Sequence, residues 1–459
     1  MKTILKSLHL LFSLLPCLIN AQVIEGGADH SLAVCIDHTA WTWGDNHLGQ
    51  LGTGNTISST IPVQVSSLTG VRFVAGGFYH SVAVKNDSTV WTWGNNFFGQ
   101  LGNGNNIDSD IPVQINSLTG ITAIVVGFYH SLALKNDGTV WSWGENDYGQ
   151  LGNGANTDLN FPVQVGNLTG ITAIAAGSKS SYALKSNGSV WAWGYNGDGQ
   201  LGNNSTVSCN VPVEINTLSN KTTLLAGGMY HAIGLKTDST LVAWGFNAYG
   251  QLGNGTLNNS SVPVPVLNLS KIVGIACGNF HSLALKNDGT VWAWGYNFAG
   301  QLGTGNTNSS TFPVQLLSIN NVIAIEAGMY HSLALKNDGT VWAWGDNAYG
   351  QLGTGSNSQS NLPVSVEDLC MVQTAVKGEK QSTLRLYPNP TDGKLIIEME
   401  GLNSLTTIEI YNLLGEKTYF TTTTQEKGYE VDFSKAKRGI YFIKFNTGEQ
   451  IQIKKLIKE

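Results

Sequence analysis

The chain has 459 residues, 12% of them charged, with 55 Gly, 13 Trp and a formal net charge of −6. No long amphipathic helical periodicity runs through it, so the composition is that of an all-β protein long enough to bury a large core. Charge is uneven: residues 22–371 carry 10 Lys and Arg against 20 Asp and Glu, and residues 372–459 carry 13 against 11, an acidic balance that excludes the phosphate backbone of nucleic acid as a partner of the larger part.

At the start, Lys2 and Lys6 precede an apolar run from Leu8 to Leu18, followed by Ile19-Asn20-Ala21. The run is too short to span a bilayer, and the pattern predicts a secretory signal peptide, residues 1–21, cut after Ala21 to leave Gln22 first. Cys17 is a poor lipid-attachment point, because Pro16 stands where a small residue is expected. The remaining cysteines, Cys35, Cys209, Cys277 and Cys370, fit no metal-ligand spacing. A ring-closing disulfide between Cys35 and Cys370 is one reading, since they lie in the first and last units of the repeat described next. Isolated buried thiols are the reading the sequence favours.

From residue 22 to about 369 one unit recurs seven times. Its Gly-Gln-Leu-Gly core stands at Gly49, Gly99, Gly149, Gly199, Gly250, Gly300 and Gly350, a period of 50 residues that slips once to 51. Units of this length, made of short apolar runs and Gly/Asn/Asp turns, mark an array in which no unit buries its core alone. In the third unit, Ile121 to Val126 and His130 to Lys135 read as two strands, Asn136-Asp137-Gly138 as a hairpin turn, Thr139 to Trp143 as a third strand, and Phe161 to Val165 as a fourth. Pro62, Pro112, Pro162, Pro212, Pro263, Pro313 and Pro363 open the fourth strand of each unit. Proline cannot donate to a ladder, so this strand is expected at the blade's outer edge. Four strands in each of seven units predict a seven-bladed β-propeller over residues 22–371, with some sharing of strands between the first and last units as the favoured closure.

The repeated residues read as structure. Twelve Trp form pairs two residues apart, such as Trp41/Trp43 and Trp292/Trp294, and the fifth unit has Val242 and Trp244. Side chains two apart share one face of a strand, so both rings can pack between neighbouring blades. Burying ~200 Å² of each ring at ~25 cal/mol/Å² is worth about 5 kcal/mol as an upper bound. Trp93, Trp143, Trp193, Trp244, Trp294 and Trp344 are therefore assigned to packing. The recurrent His30, His80, His130, His231, His281 and His331, replaced by Ser180 in the fourth unit, are assigned to hydrogen bonding. No residue is singled out as a catalytic acid or nucleophile, no calcium-loop register occurs, and no cofactor or metal set is expected.

Variability within the chain marks a candidate binding face. In an up-and-down blade the first-to-second and third-to-fourth loops emerge together, opposite the Asn-Asp-Gly turns. The third-to-fourth loops carry Phe97, Phe98, Tyr148, Tyr195, Phe246, Tyr249, Tyr296, Phe298 and Tyr349, with His47 and Asp147, and the first-to-second loops add Phe78, Tyr79, Phe128, Tyr129, Met229, Tyr230, Phe280, Met329 and Tyr330. Aromatics and Met among carboxylates have the composition of protein-binding hot spots. These nine loop aromatics are the expected partner-binding residues, with an extracellular protein as the expected partner and a glycan as the alternative.

The run Gly-x-x-His-Ser-Leu-Ala-Leu-Lys-Asn-Asp-Gly-Thr-Val-Trp-x-Trp-Gly-x-Asn-x-x-Gly-Gln-Leu-Gly, at 328–353, resembles the repeat of the regulator of chromosome condensation family. The resemblance covers residues 22 to about 369 and implies a propeller that works by binding proteins. It does not bring nucleotide exchange on a small nuclear GTPase, because a secreted acidic chain has no access to that partner. The extracellular bacterial branch, which includes a secreted propeller that inhibits β-lactamase, is the closer parallel in setting.

After a polar linker, residues 372–383, the pattern changes. Tyr387-Pro388-Asn389-Pro390, Leu395-Ile396-Ile397, Ile408 to Gly415, Gly439 to Lys444 and a terminal strand from Lys454 to Lys458 predict a small β-sandwich over residues 384–459. In this order the motifs are similar to the C-terminal sorting domain of the type IX secretion system of Bacteroidota. That resemblance implies handling by the secretion machinery, passage across the outer membrane, removal of the domain, and release or surface attachment.

Overall fold

The computed structural model describes residues 21–166, 168–218, 221–370, 384–399, 407–412, 416–425, 428–446 and 451–459. The expected signal peptide, up to residue 20, and the linker at 372–383 lie outside them. The chain divides into two compact units, Met1–Met371 and Val372–Glu459.

The first unit is a seven-bladed propeller of four-stranded antiparallel sheets, each with its strands in chain order. In the third blade these are Ile121–Val126, His130–Lys135, Val140–Gly144 and Leu159–Gln164. First strands pack against the first and second strands of neighbouring blades, which places them at the centre. The Pro-bearing fourth strand pairs only with the third and is the outer edge, as its missing N–H requires.

The hydrophobic core lies between blades. One cluster joins Val82, Val84 and Val90 of the second blade to Ile121, Ile124, Ala133 and Trp143 of the third, and the other junctions repeat it. Trp43, Trp93, Trp143, Trp193, Trp244, Trp294 and Trp344 are each 0% exposed in these clusters. The other ring of each pair packs on the same side with less cover: Trp41 is buried, whereas Trp91, Trp141, Trp191, Trp292 and Trp342 are half-buried. Lys side chains lie over those five rings at 4.6–5.7 Å. Both rings of a pair therefore pack at the junction between blades, the second fully enclosed and the first with less cover.

Ring closure also differs from expectation. Each sheet is built from one unit alone, from 21–64 to 322–365, and no strand is shared. Instead Ile24, Ala33 and Trp43 of the first blade pack on Leu333, Leu335, Val341 and Ala343 of the seventh. A disulfide joins Cys35 to Cys370 with their Cα atoms 5.7 Å apart, so the preference for isolated thiols fails for this pair. Ring topology brings together residues 335 apart in sequence. Cys209 and Cys277 are free, half-buried thiols.

The second unit is a β-sandwich. Leu384–Tyr387, Lys394–Met399, Gly428–Asp432 and Thr421–Gln425 form one sheet; Thr407–Asn412, Gly439–Asn446 and Ile451–Lys458 form the other. Leu395, Ile397, Val431 and Phe433 face Ile410, Tyr441, Ile443, Phe445 and Leu456 in the core. Lys458 is buried and its ammonium donates to the carbonyls of Phe433, Ser434 and Ala436, which compensates for the loss of water around a charge.

Candidate functional site

The repeated polar residues link each blade to the next. In each Gly-Gln-Leu-Gly core the Gln main-chain carbonyl accepts the indole N–H of the following blade, as from Trp143 to Gln100 at 2.8 Å and from Trp43 to Gln351 at 2.9 Å. Where the following blade carries Ser at the second position of its second strand, the same carbonyl also accepts that hydroxyl, as from Ser181 to Gln150 at 2.8 Å and from Ser31 to Gln351 at 2.9 Å. The hydroxyl proton being committed, Ser accepts from the His Nε2–H of the preceding blade: His130 reaches Ser181 at 3.0 Å, and His331 closes the ring on Ser31 at 2.9 Å. Glycine precedes each His loop because a Cβ on Gly127 would lie 2.2 Å from the His130 ring. The fourth blade breaks the series with Ser180, and the fifth has Ala232 where Ser is expected. Tyr182 fills the gap, its hydroxyl donating to the Gln200 carbonyl at 2.8 Å.

All six of these His are 0% exposed, so no substrate atom reaches them. Burial lowers His80, His130, His231, His281 and His331 to about 3 and His30 to about 4. An imidazole with a depressed folded-state pKa stabilises the fold above its unfolded value, and that stability is lost as pH falls towards the folded value. Glu145, Asp158 and Asp198 are raised by burial and work in the opposite sense, but the carboxyls shifted far that way are three: Glu25, raised by burial, Glu326, raised by burial and by Glu25, and Asp29, raised to about 7 by burial and by Asp346 and Asp45. The imidazoles outnumber them below pH 6.5, so the urea midpoint is expected to fall steadily from pH 6.5 to pH 4. A midpoint that holds constant over this interval would contradict neutral, buried imidazoles.

The same sequence core shapes the third-to-fourth loops. Asn146 Oδ1 accepts the Leu151 N–H at 2.9 Å while its Nδ2 donates to the carbonyls of Ala155 and Thr157. Gln150 Oε1 accepts the Tyr148 N–H at 3.0 Å, and the equivalent Gln holds Leu48, Phe98, Asp198, Tyr249, Ala299 and Tyr349. These contacts fix the loop through main chain and leave its outward side chains free to differ.

Those side chains meet in two arcs on one face. Phe97 lies 4.9 Å from Phe98, and Phe98 lies 5.1 Å from Tyr129. The longer arc runs from Tyr148 to Tyr195 at 4.8 Å, on to Tyr230 at 5.8 Å, through Phe246, Phe280 and Tyr249, then to Tyr296 and Phe298 at 4.8 Å each. Tyr349 stands apart from both and packs edge-on to His47 at 5.7 Å. Phe97 and Phe298 are the most open, 72% and 66% exposed; Tyr148, Tyr249 and Tyr349 are also exposed. Phe98, Tyr195, Phe246 and Tyr296 are half-buried, as are Tyr79, Tyr129, Tyr230, Phe280 and Tyr330 beneath the arcs.

Sequence reasoning missed Lys179. Its Nζ lies 2.7 Å from Glu145 and 4.9 Å from the centre of the Tyr148 ring. The signal was available, because Ser178-Lys179-Ser180 replaces the usual aromatic-His run, and the loops of this face contain no other Lys or Arg. Their carboxylates are Asp29, Asp45, Asp108, Glu145, Asp147, Asp158, Asp198 and Asp346. Burial raises Glu145, Asp158 and Asp198. Among the described residues no group of three or more His, Cys, Asp or Glu is placed to hold a metal ion, and no helix is long and apolar enough to cross a membrane.

Comparison with known proteins agrees with this architecture. Residues 119–386 match the RCC1-like domain, residues 37–84, 87–134 and 71–100 match the regulator of chromosome condensation (RCC1) repeat, and residues 385–459 match the secretion system C-terminal sorting domain. The fold is similar to yeast RCC1 (Prp20) in its complex with Kap60, at 23% identity and TM-score 0.66 over 72% of this chain and 83% of that one. Human WBSCR16 is similar at 24% identity and TM-score 0.66, over 72% of this chain and 93% of that one. A further structure of Prp20p from Saccharomyces cerevisiae gives 22% identity and TM-score 0.64, over 77% and 88%. The sorting tail implies handling by the type IX secretion machinery and a secreted or cell-surface location. With its repeats closed into one ring and a family match over more than half its length, the chain belongs to the RCC1-like propeller family and carries a type IX sorting domain.

Proposed function

We propose that the protein is a non-catalytic binding scaffold that holds another extracellular protein on its aromatic loop face. It reaches the secreted or outer-membrane surface through removal of residues 1–21 and recognition of residues 384–459. The observation that carries this reading is the contrast within the loops. Gln50, Gln100, Gln150, Gln200, Gln251, Gln301 and Gln351 hold one main-chain path, while the residue each one pins is Leu, Phe, Tyr, Asp, Tyr, Ala and Tyr in turn. A constant frame that displays unlike, partly exposed aromatics suits recognition of one irregular protein surface. A sugar-binding ring would instead offer the same open ring in every blade, and the Trp rings that do recur half-exposed are covered by Lys.

The test is a pull-down with the purified chain from culture medium and cell envelopes, read by mass spectrometry alongside a glycan array and repeated with Phe98→Ala/Tyr148→Ala/Phe298→Ala. The triple variant is expected to bind the captured protein at least tenfold more weakly, about 1.4 kcal/mol, with its melting temperature nearly unchanged. Each substitution installs what another unit already carries, since Ala299 stands at the place of Phe98 and Tyr148, and Ala248 and Ala348 at the place of Phe298. A large loss of stability would show that these rings are core, and capture of glycans with no protein would move the function to adhesion.

A further inference from the structure

Loops of the sixth and seventh blades form an open cleft of about 220 Å³ lined by Tyr296, Phe298, Ala299, Tyr330, Asp346 and Gln359. This is below the range of roughly 300–1,000 Å³ typical of small-molecule sites, and it suits the head of one long side chain. Tyr296 lies 4.8 Å from Phe298 and 5.9 Å from Tyr330, so three rings in contact share the lining of the cleft with one carboxylate, Asp346. That carboxylate is aimed by its neighbours: Oδ1 accepts the Asn347 N–H at 2.9 Å and the Ala348 N–H at 3.4 Å, and Oδ2 accepts the Gln351 side chain at 3.0 Å. Oδ2 accepts from Gln351 alone, which leaves it a lone pair for a ligand. Asp346 stands close enough to Asp29 to raise it, as Asp45 also does, and the face's one Lys is three blades away, paired with Glu145. Aromatic faces around an uncompensated carboxylate complement a planar cation, which can stack and pair at once.

We propose that this cleft receives an arginine side chain of the partner protein, its guanidinium stacked on the Tyr296, Phe298 and Tyr330 rings and paired with Asp346. The proposal rests on the aromatic-face reading above and names the chemistry its partner must present.

Selection of random displayed dodecapeptides against the full chain tests it. Enriched peptides are expected to share an Arg, and a synthesised winner is expected to lose at least tenfold in affinity when that Arg becomes citrulline. The same loss is expected on Asp346→Asn and on Phe298→Ala. Both variants should fold, because Asn95 occupies the place of Asp346 in the second unit and holds Gln100 in the same way, and Ala248 occupies the place of Phe298. Winners without a basic residue, Arg-containing winners indifferent to Asp346→Asn, or winners that tolerate Arg-to-Lys at no cost would each overturn the arginine cleft. If such winners still weaken on Phe97→Ala/Phe98→Ala, the aromatic-face reading survives. Winners indifferent to every one of these variants, or no enrichment at all, would count against both.

Discussion

Replacing Cys370 with Ser is expected to lower the melting temperature of the propeller by roughly 5 °C, because it removes the one covalent tie across the ring. The bond closes a loop of 335 residues, near the upper end of what chain entropy allows, or about 5 kcal/mol at most. A domain this large unfolds with an entropy on the order of 0.7 kcal/mol/K, so each kcal/mol moves the midpoint by only ~1.4 °C. Cys370 is the better target, since it is half-buried whereas Cys35 is 1% exposed and its loss would also disturb packing. The first and seventh blades keep their apolar cluster and the His331–Ser31 hydrogen bond, so the variant should still fold. Calorimetry with and without reductant checks the cause: reductant should shift the parent chain by the same amount and leave Cys370→Ser unmoved. An unshifted parent would mean that packing alone closes the ring.

Trp143→Ala is expected to cost about 3–5 kcal/mol, against no more than about 1.5 kcal/mol for Trp141→Ala two residues earlier. The Trp143 ring is fully enclosed between the second and third blades and its N–H serves the Gln100 carbonyl across the junction. Deleting it leaves a cavity at a blade interface and removes one of that carbonyl's donors. Trp141 is half-buried, bonds Thr139 at 3.3 Å within its own hairpin, and lies under Lys135. Lys135 can settle into the space its ring vacates. Urea unfolding of both variants measures the difference, and equal losses would show that the two rings share the junction evenly.

Blade number, strand order and the outer position of the Pro-bearing strand were legible because they follow from period and proline chemistry, which are local. Closure was not. A repeat of 50 residues leaves open where a blade begins, and the places of Cys35 and Cys370 in the first and last units made their disulfide one reading without setting it above isolated thiols. Burial of the paired Trp was half legible, since alternation places Trp141 and Trp143 on one face but distance along the blade decides which is covered. In the candidate site the face itself could be read from strand order. Which rings are open could not, because cover comes from another unit: Phe98 is half-buried by Tyr129, which lies in the next blade, while Phe97 beside it stays open. Lys179 carries no repeat signal, because it stands in the fourth unit alone, where Ser178-Lys179-Ser180 replaces the aromatic-His run.

Closure without a shared strand has a consequence in time. Trp43, Ile24 and Ala33 find their partners only on the seventh blade, whose first strand begins at Val322. At synthesis rates of about 5–20 residues per second, the chain between Trp43 and that strand takes on the order of 15–60 s to appear. Throughout that interval the first blade presents an apolar face and an unsatisfied indole N–H to whatever surrounds the growing chain, so the earliest part made is the last to be sheltered, and a holding factor that binds such a surface would be needed soonest at the N-terminal end.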